Sequence, residues 1–327
     1  MHSDKKDLTG EESVQEPGAT VKELFGRIKQ CVAAGDFVTA ESLREEMMAT
    51  DTMALSESIA SAEIIEEAKL ASIDDEHLQL WDELYTTLSP EERSVLFYSL
   101  VEKTLPPKTV VSRQGHLSDN LVFVERGHLV AIFTKEKENH LVLNIGPGEF
   151  FGEDTFFGMS VSTTSIVAQS EVVIKILTKD HIREWEEKAP GLYVKIESFC
   201  RKHSKYIEAY ERKRQEKSRF QRHSVHGLVS ADILNASMKQ SGQHFKAAIG
   251  DISRGGVSFF IKSSRQASAR ALLARPLKMD FSIEENAHPV EFTAMGNVVR
   301  VEFHMENDYS VHVQFNSPLE EGKLENL

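Results

Sequence analysis

The spacing of apolar residues changes three times along the chain, and each change rules out one continuous architecture. From Thr20 the apolar positions recur three and four apart, as on one face of a helix, and at Pro106-Pro107 that period changes. Between residues 110 and 177 they fall instead into short β-branched and aromatic runs separated by Gly, Asn or Asp. Helical spacing returns after Lys179, and a second set of β-rich runs occupies residues 229–315. The predicted order is therefore helices, a first β domain, a connecting helix and a second β domain, an α+β chain.

The 327 residues suffice for about two domains and a helical appendage. With 40% hydrophobic and 27% charged residues, the chain can build buried cores and is not disordered throughout. Its formal charge, 38 − 51 = −13, excludes a uniformly basic nucleic-acid binder. Two cysteines, Cys31 and Cys200, cannot make a disulfide framework, which points to a reducing compartment, the cytoplasm. The first 16 residues hold no apolar stretch of the signal-peptide kind, and no apolar run approaches the roughly 20 residues that span a bilayer.

Residues 1–18 are polar and acidic and are expected as a tail. The helical segment of residues 19–76 opens with Thr20 and Glu23 at capping-box spacing, and Asp36 can cap a second helix. Further helices are expected over 58–70 and 77–88, and Ser89-Pro90-Glu91-Glu92 gives a strong helix start. The segment 35–47, GDFVTAESLREEM, resembles the helical hairpin of UvrB- and UvrC-type proteins, which implies an unidentified protein partner; a generic amphipathic helix pair fits it as well.

Within residues 77–210, the stretches TVVSRQGHLSDNLVFVERGHLVAIF and LVLNIGPGEFFGEDTFF resemble the cyclic nucleotide-binding domain, a β-roll with flanking helices. In that family a phosphate-binding cassette follows the fourth-strand glycines, and Phe151-Gly152-Glu153 matches its opening. The resemblance implies cyclic mononucleotide contacts at Gly152, Glu153, Ser162 and Thr163, with cAMP or cGMP as ligand. Ser162 stands where the family carries its phosphate-binding arginine, and no Lys or Arg lies between Glu153 and Lys175. That departure favours a dimerisation or relay role for this domain.

Residues 211–318 contain Asp251-Ile252-Ser253-Arg254-Gly255-Gly256, which fits the D/N-x-S-x-x-G signature of the PilZ domain, a six-stranded barrel that binds cyclic di-GMP. The basic linker before it matches the family pattern in part: Arg222 sits in the second arginine place, but Ser218 occupies the first. The resemblance implies a cyclic di-GMP site formed by Arg214, Arg219, Arg222, Asp251, Ser253 and Gly256. The chemistry suits them: guanidinium groups fork onto phosphates and stack on guanines, a carboxylate accepts from guanine N–H groups, and glycine lets the backbone come close. The heptad-like seam from Leu192 through Ile196, Phe199, His203 and Tyr206 to Tyr210 predicts a long connecting helix that either dimerises or packs back on the β-roll. Residues 319–327 are expected as a tail.

No nucleophile–base order, carboxylate pair or Walker loop can be assembled, so the sequence does not read as an enzyme. His223-x-x-His226 is too short a set for a metal, no cofactor is implied, and DNA contact lacks a helix-turn-helix pattern. Three readings remain: a cyclic di-GMP receptor with a relay domain, a ligand-free interaction scaffold, and a cAMP or cGMP receptor acting through the first β domain.

Overall fold

The computed structural model describes residues 20–135, 138–205, 220–235, 237–283, 290–320 and 324. The expected tail 1–18, and with it Arg214, Arg219, Tyr206 and Tyr210, lie outside the described residues. The chain divides after Asp74 into two compact units.

The first unit is a three-helix assembly of α1 (Val21–Ala33), α2 (Phe37–Thr50) and α3 (Leu55–Ala71). The Thr20 hydroxyl accepts from the Glu23 amide at 3.3 Å while the Glu23 carboxylate accepts from the Thr20 amide at 2.8 Å, closing the capping box expected from sequence. Asp36 caps α2 by accepting from the Thr39 amide at 3.1 Å. Leu24, Ile28, Ala40, Leu43, Met47 and Ile65 close on one another as its core.

The second unit begins with α4 (Asp75–Leu80), α5 (Asp82–Tyr85) and α6 (Pro90–Ser99). The single helix expected over 77–88 is broken at Trp81, whose indole N–H turns to the Glu125 carboxylate at 3.0 Å. The same carboxylate lies 3.0 Å from the buried His77 Nδ1, whose Nε2 is 2.9 Å from the Tyr85 hydroxyl. This buried polar chain ties the entry helices to the β-roll.

The roll consists of two antiparallel four-stranded sheets. In one, the order is β1 (Val101–Leu105), β8 (Val172–Thr178), β3 (Asn120–Arg126) and β6 (Phe150–Phe151). In the other it is β2 (Val110–Ser112), β7 (Ser165–Ala168), β4 (Leu129–Lys135) and β5 (Glu138–Ile145). Val122, Val124, Leu129, Ala131, Ile166 and Ile174 fill the space between them. The change of period falls at Val101, ahead of the Pro106-Pro107 turn. β1 is largely exposed and carries no apolar alternation, so its sequence gives little strand signal.

After the cassette helix α7 (Glu153–Phe156), α8 (Ile182–Lys188) and α9 (Leu192–His203) cover the outer face of the first sheet. Leu192, Ile196 and Cys200 of α9 are buried there, and the Trp185 indole N–H donates to Ser99 at 2.9 Å. The seam from Leu192 to Cys200 therefore packs back on the roll, and its expected continuation through Tyr206 to Tyr210 lies outside the described residues. At Ser204 the backbone is extended, and the Ser204 hydroxyl and Lys205 ammonium meet the Glu153 and Glu149 carboxylates.

The last region is a closed barrel of six strands. β10 (Gly227–Leu234) pairs with β13 (Pro276–Ile283), followed by β14 (Val290–Phe303), β15 (Asp308–Phe315), β12 (Gly256–Lys262) and β11 (Gln240–Ser253), which pairs again with β10. The two-residue β9 (His223–Ser224) adds to the edge of β11. Alternate residues point inward, and Val229, Phe259, Met279, Val298, Val311 and Val313 form the core. Leu319 and Leu324, placed in a tail by the sequence, are buried in the same cluster.

β14 is longer than the partners on one of its sides. β13 pairs with it only as far as Asn297, and the rest of that edge receives residues 159–161 of the cassette. There the Val161 amide donates to the Val299 carbonyl at 3.0 Å and the Val301 amide to the Met159 carbonyl at 2.8 Å. The cassette of the roll is thus stitched to a barrel strand.

Phe259 is fully buried at the barrel centre, with the Phe245 ring 5.7 Å away. Phe259→Ala is expected to cost about 3–5 kcal/mol in urea unfolding; a loss below about 1 kcal/mol would contradict this packing.

Candidate functional site

In the roll, the cassette opens on Gly152, whose φ of +93° lies in the left-handed region. A Cβ there would sit 2.3 Å from the Asn120 carbonyl oxygen, so only glycine fits. The turn carries Glu153 into the interior, where it is 4% exposed. The Ser204 hydroxyl donates to its Oε1 in a short hydrogen bond, while Oε2 meets no donor among the described residues. Burial pushes the Glu153 carboxyl up to about 7, and the Ser204 hydrogen bond opposes the shift. Just outside, the Lys205 ammonium binds Glu149 at 2.9 Å. The residues that follow α9 thus hold the carboxylate that the resemblance assigned to a ribose.

The phosphate side of this cassette is equally occupied. Ser162 is buried, and the Ser112 hydroxyl donates to the Ser162 hydroxyl at 2.8 Å. The Ser162 carbonyl accepts from the Gly115 amide at 2.8 Å, and its amide donates to the His116 carbonyl at 2.9 Å. Thr163 is half-buried beside it. The nearest downstream cation, Lys175, is buried with its ammonium over the Phe97 ring and 3.9 Å from Glu102. The four residues proposed for a mononucleotide thus lie on one loop system with no cation among them.

On the barrel, Arg222, Asp251, Ser253 and Gly256 of the predicted set lie close together, while Arg214 and Arg219 lie outside the described residues. Arg222 Nη1 lies 2.5 Å from Asp251 Oδ1, with both side chains partly exposed. Asp251 is fixed from both sides, paired with Ser224 of β9 and Ser258 of β12, and its amide donates to the Ser258 hydroxyl at 3.2 Å. Ser253 is buried and shapes the β11–β12 turn: its hydroxyl accepts from the Gly255 amide and donates to the Gly256 carbonyl, each at 3.3 Å. A Cβ on Gly256 would meet the Val313 carbonyl oxygen at 2.4 Å, so glycine permits β12 to lie against β15. Ser253 and Gly256 therefore act by holding the turn, and Arg222 and Asp251 present the polar groups. Arg254, within the motif, stacks its guanidinium 4.7 Å over the Phe220 ring and donates to the Leu319 carbonyl at 2.9 Å.

Two further residues join this face. Register pairs Asp251 with Ser258, Ser258 with His312, and His312 with Arg300, so the four form one row across β11, β12, β15 and β14. His312 Nε2 is 3.2 Å from the Ser310 hydroxyl and 3.5 Å from Glu302. Burial holds its imidazole below the usual value; Glu302 opposes this, and Arg300 and Arg222 add to it. Arg300 Nη2 is 2.6 Å from Glu302 Oε1. The alternation in Val311-His312-Val313 signals an outward His312, whereas Arg300, two residues from the buried Val298, turns outward only through the bulge between them, which becomes visible only with the fold. Among the described residues, no cluster of three His, Cys, Asp or Glu side chains suits a metal, and no helix is long and apolar enough to cross a membrane.

Residues 102–188 match the family model for the cyclic nucleotide-binding domain, and residues 216–327 match that for the PilZ domain. No curated protein matches the chain. Similar solved structures include the N-terminal domain of a transcriptional regulator from Streptomyces coelicolor A3(2), at 21% identity over 41% of this chain and 88% of that one, with a TM-score of 0.33. A cyclic nucleotide-binding domain from Methylobacillus flagellatus matches at 18% identity over 44% and 85%, with a TM-score of 0.38. The catabolite activator protein of Thermus thermophilus matches at 19% identity over 41% of this chain and 62% of its own, with a TM-score of 0.35.

Because Glu153 titrates near 7 when folded, against 4.5 ordinarily, its contribution to stability is full below pH 4.5 and is lost as pH rises through 7. Glu153→Gln should therefore gain on the wild type in unfolding stability between pH 5 and pH 8. A pH-independent difference between the two would show that this carboxyl is not buried.

Proposed function

The chain joins a cyclic nucleotide-binding domain to a C-terminal PilZ domain, the parts of a cyclic-nucleotide signalling protein, and we propose that it is a receptor for cyclic di-GMP acting through the barrel. The observation that carries this reading is the Arg222–Asp251 ion pair, held beside the glycine turn of residues 253–256. Arg222 belongs to the segment entering the barrel, and its guanidinium can leave Asp251 to fork onto a phosphate or stack on a guanine. Asp251 then accepts from guanine N–H donors or orients the arginine. An exposed pair of this kind contributes only about 0–1 kcal/mol, so its exchange for a ligand costs little. Arg214 and Arg219, farther up the linker, add cations to the same ligand.

The roll serves as relay in this reading. Its cassette is occupied by the Ser204 hydroxyl and the Ser112–Ser162 pair, and it touches β14 through residues 159–161. The linker starts directly after the Ser204–Lys205 contact with the cassette, so drawing its arginines onto the barrel acts on that contact and couples it to the docked domain. The coupling needs the ligand to prefer one arrangement of that contact over the other. Binding, rather than catalysis, is the work assigned to both domains, and a cytoplasmic setting suits a diffusible messenger.

A ligand-free scaffold is the second reading, favoured by one observation: serine stands at both arginine places, Ser162 and Ser218. Titration calorimetry separates the two. The receptor reading expects micromolar binding of cyclic di-GMP to the full chain, no heat with cAMP or cGMP, and at least a roughly thirty-fold loss in Arg222→Ala. A flat cyclic di-GMP titration of the wild type, or unchanged affinity in the variant, would overturn it.

A further inference from the structure

The linker carries serine at the first of its two arginine places, which leaves room for a second cation held on the barrel itself. Taking the cyclic di-GMP reading as its premise, we propose that Arg300 is that cation, a second phosphate-binding residue at the far end of the Asp251–Ser258–His312–Arg300 row, and that it sets the preference for a cyclic dinucleotide over a mononucleotide.

Register puts Arg300 three strand spacings from Asp251, about 14 Å across the sheet. Residues paired directly across neighbouring strands share a face, so the guanidinium rises on the side that bears Asp251. A ligand with two phosphates offers an anion to each arginine, whereas a cyclic mononucleotide offers one. Asp251 and His312, with the Ser258 and Ser310 hydroxyls below them, supply a polar floor that can accept from and donate to purine edges.

The backbone at Arg300 is held on both of its edges. On one side it pairs with His312 of β15. On the other, the hydrogen bonds of Val299 and Val301 to residues 161 and 159 flank it. Among the described residues the side chain pairs with Glu302, and at 57% exposure that pair exchanges readily for a phosphate.

The test is calorimetry of the full chain with cyclic di-GMP, with the melting temperature of each ligand-free variant as a control. Arg300→Ala is expected to weaken binding about ten- to a hundred-fold, and Arg300→Lys, which keeps the charge without the fork, to fall between it and the wild type. Glu302→Gln, which frees the guanidinium, is expected to bind at least as tightly as the wild type. If Arg300→Ala melts well below the wild type, Arg300→Gln carries the same expectation in a side chain of similar bulk. A wild type that does not bind overturns the receptor reading itself. A wild type that binds, with Arg300→Ala and Arg300→Gln binding equally well, overturns the role of Arg300 alone.

Discussion

A closed antiparallel barrel offers each residue only two directions, into the core or out to water, and that constraint organises the rest of the structure. Once β10 closes on β11, the inward set of Val229, Phe259, Val311 and Val313 is committed to the core. Their neighbours must face outward, and register then decides which outward residues meet. Asp251 cannot stand beside Ser258 without His312 and Arg300 falling into the same row. The polar face is therefore a consequence of closure, and Gly256 belongs to it because β12 could not approach β15 with a side chain there.

The same geometry explains how the domains meet. β14 outruns β13, and an uncovered strand edge is a row of unsatisfied backbone groups. The cassette satisfies it with two hydrogen bonds, and Arg270 and Lys179 converge on Asp119 nearby. The cassette is in turn held by its own chain, since Ser204 and Lys205 engage Glu153 and Glu149. One loop of the roll thereby touches both the barrel and the start of the segment that leads into it. A relay between the domains needs such a shared element, with two arrangements that a ligand can weigh differently.

Much of this was legible in the sequence, where local pattern carried it. The β-rich runs of both domains and the caps at Thr20, Asp36 and Ser89 rest on local spacing, and the turn of residues 253–256 on resemblance to the D/N-x-S-x-x-G signature. What escaped depends on partners remote along the chain. Trp81 interrupts a helix because Glu125 lies 44 residues away. α9 is interrupted by an extended Ser204, whose hydroxyl meets a buried carboxylate 51 residues upstream. β1 lacks alternation because it is an exposed edge, and Leu319 and Leu324 look like tail residues until the barrel mouth is there to cover them. In the site, Asp251 and Arg222 follow from motif and spacing. Arg300 and His312 follow only from register, which no local pattern encodes.

The most direct measurement is a crystal structure of the full chain grown with cyclic di-GMP. The account predicts the dinucleotide lying along the outer row of the barrel, with one phosphate against Arg222, now released from Asp251, and the other against Arg300. A face left empty at saturating ligand, with Arg222 still paired to Asp251, would contradict it.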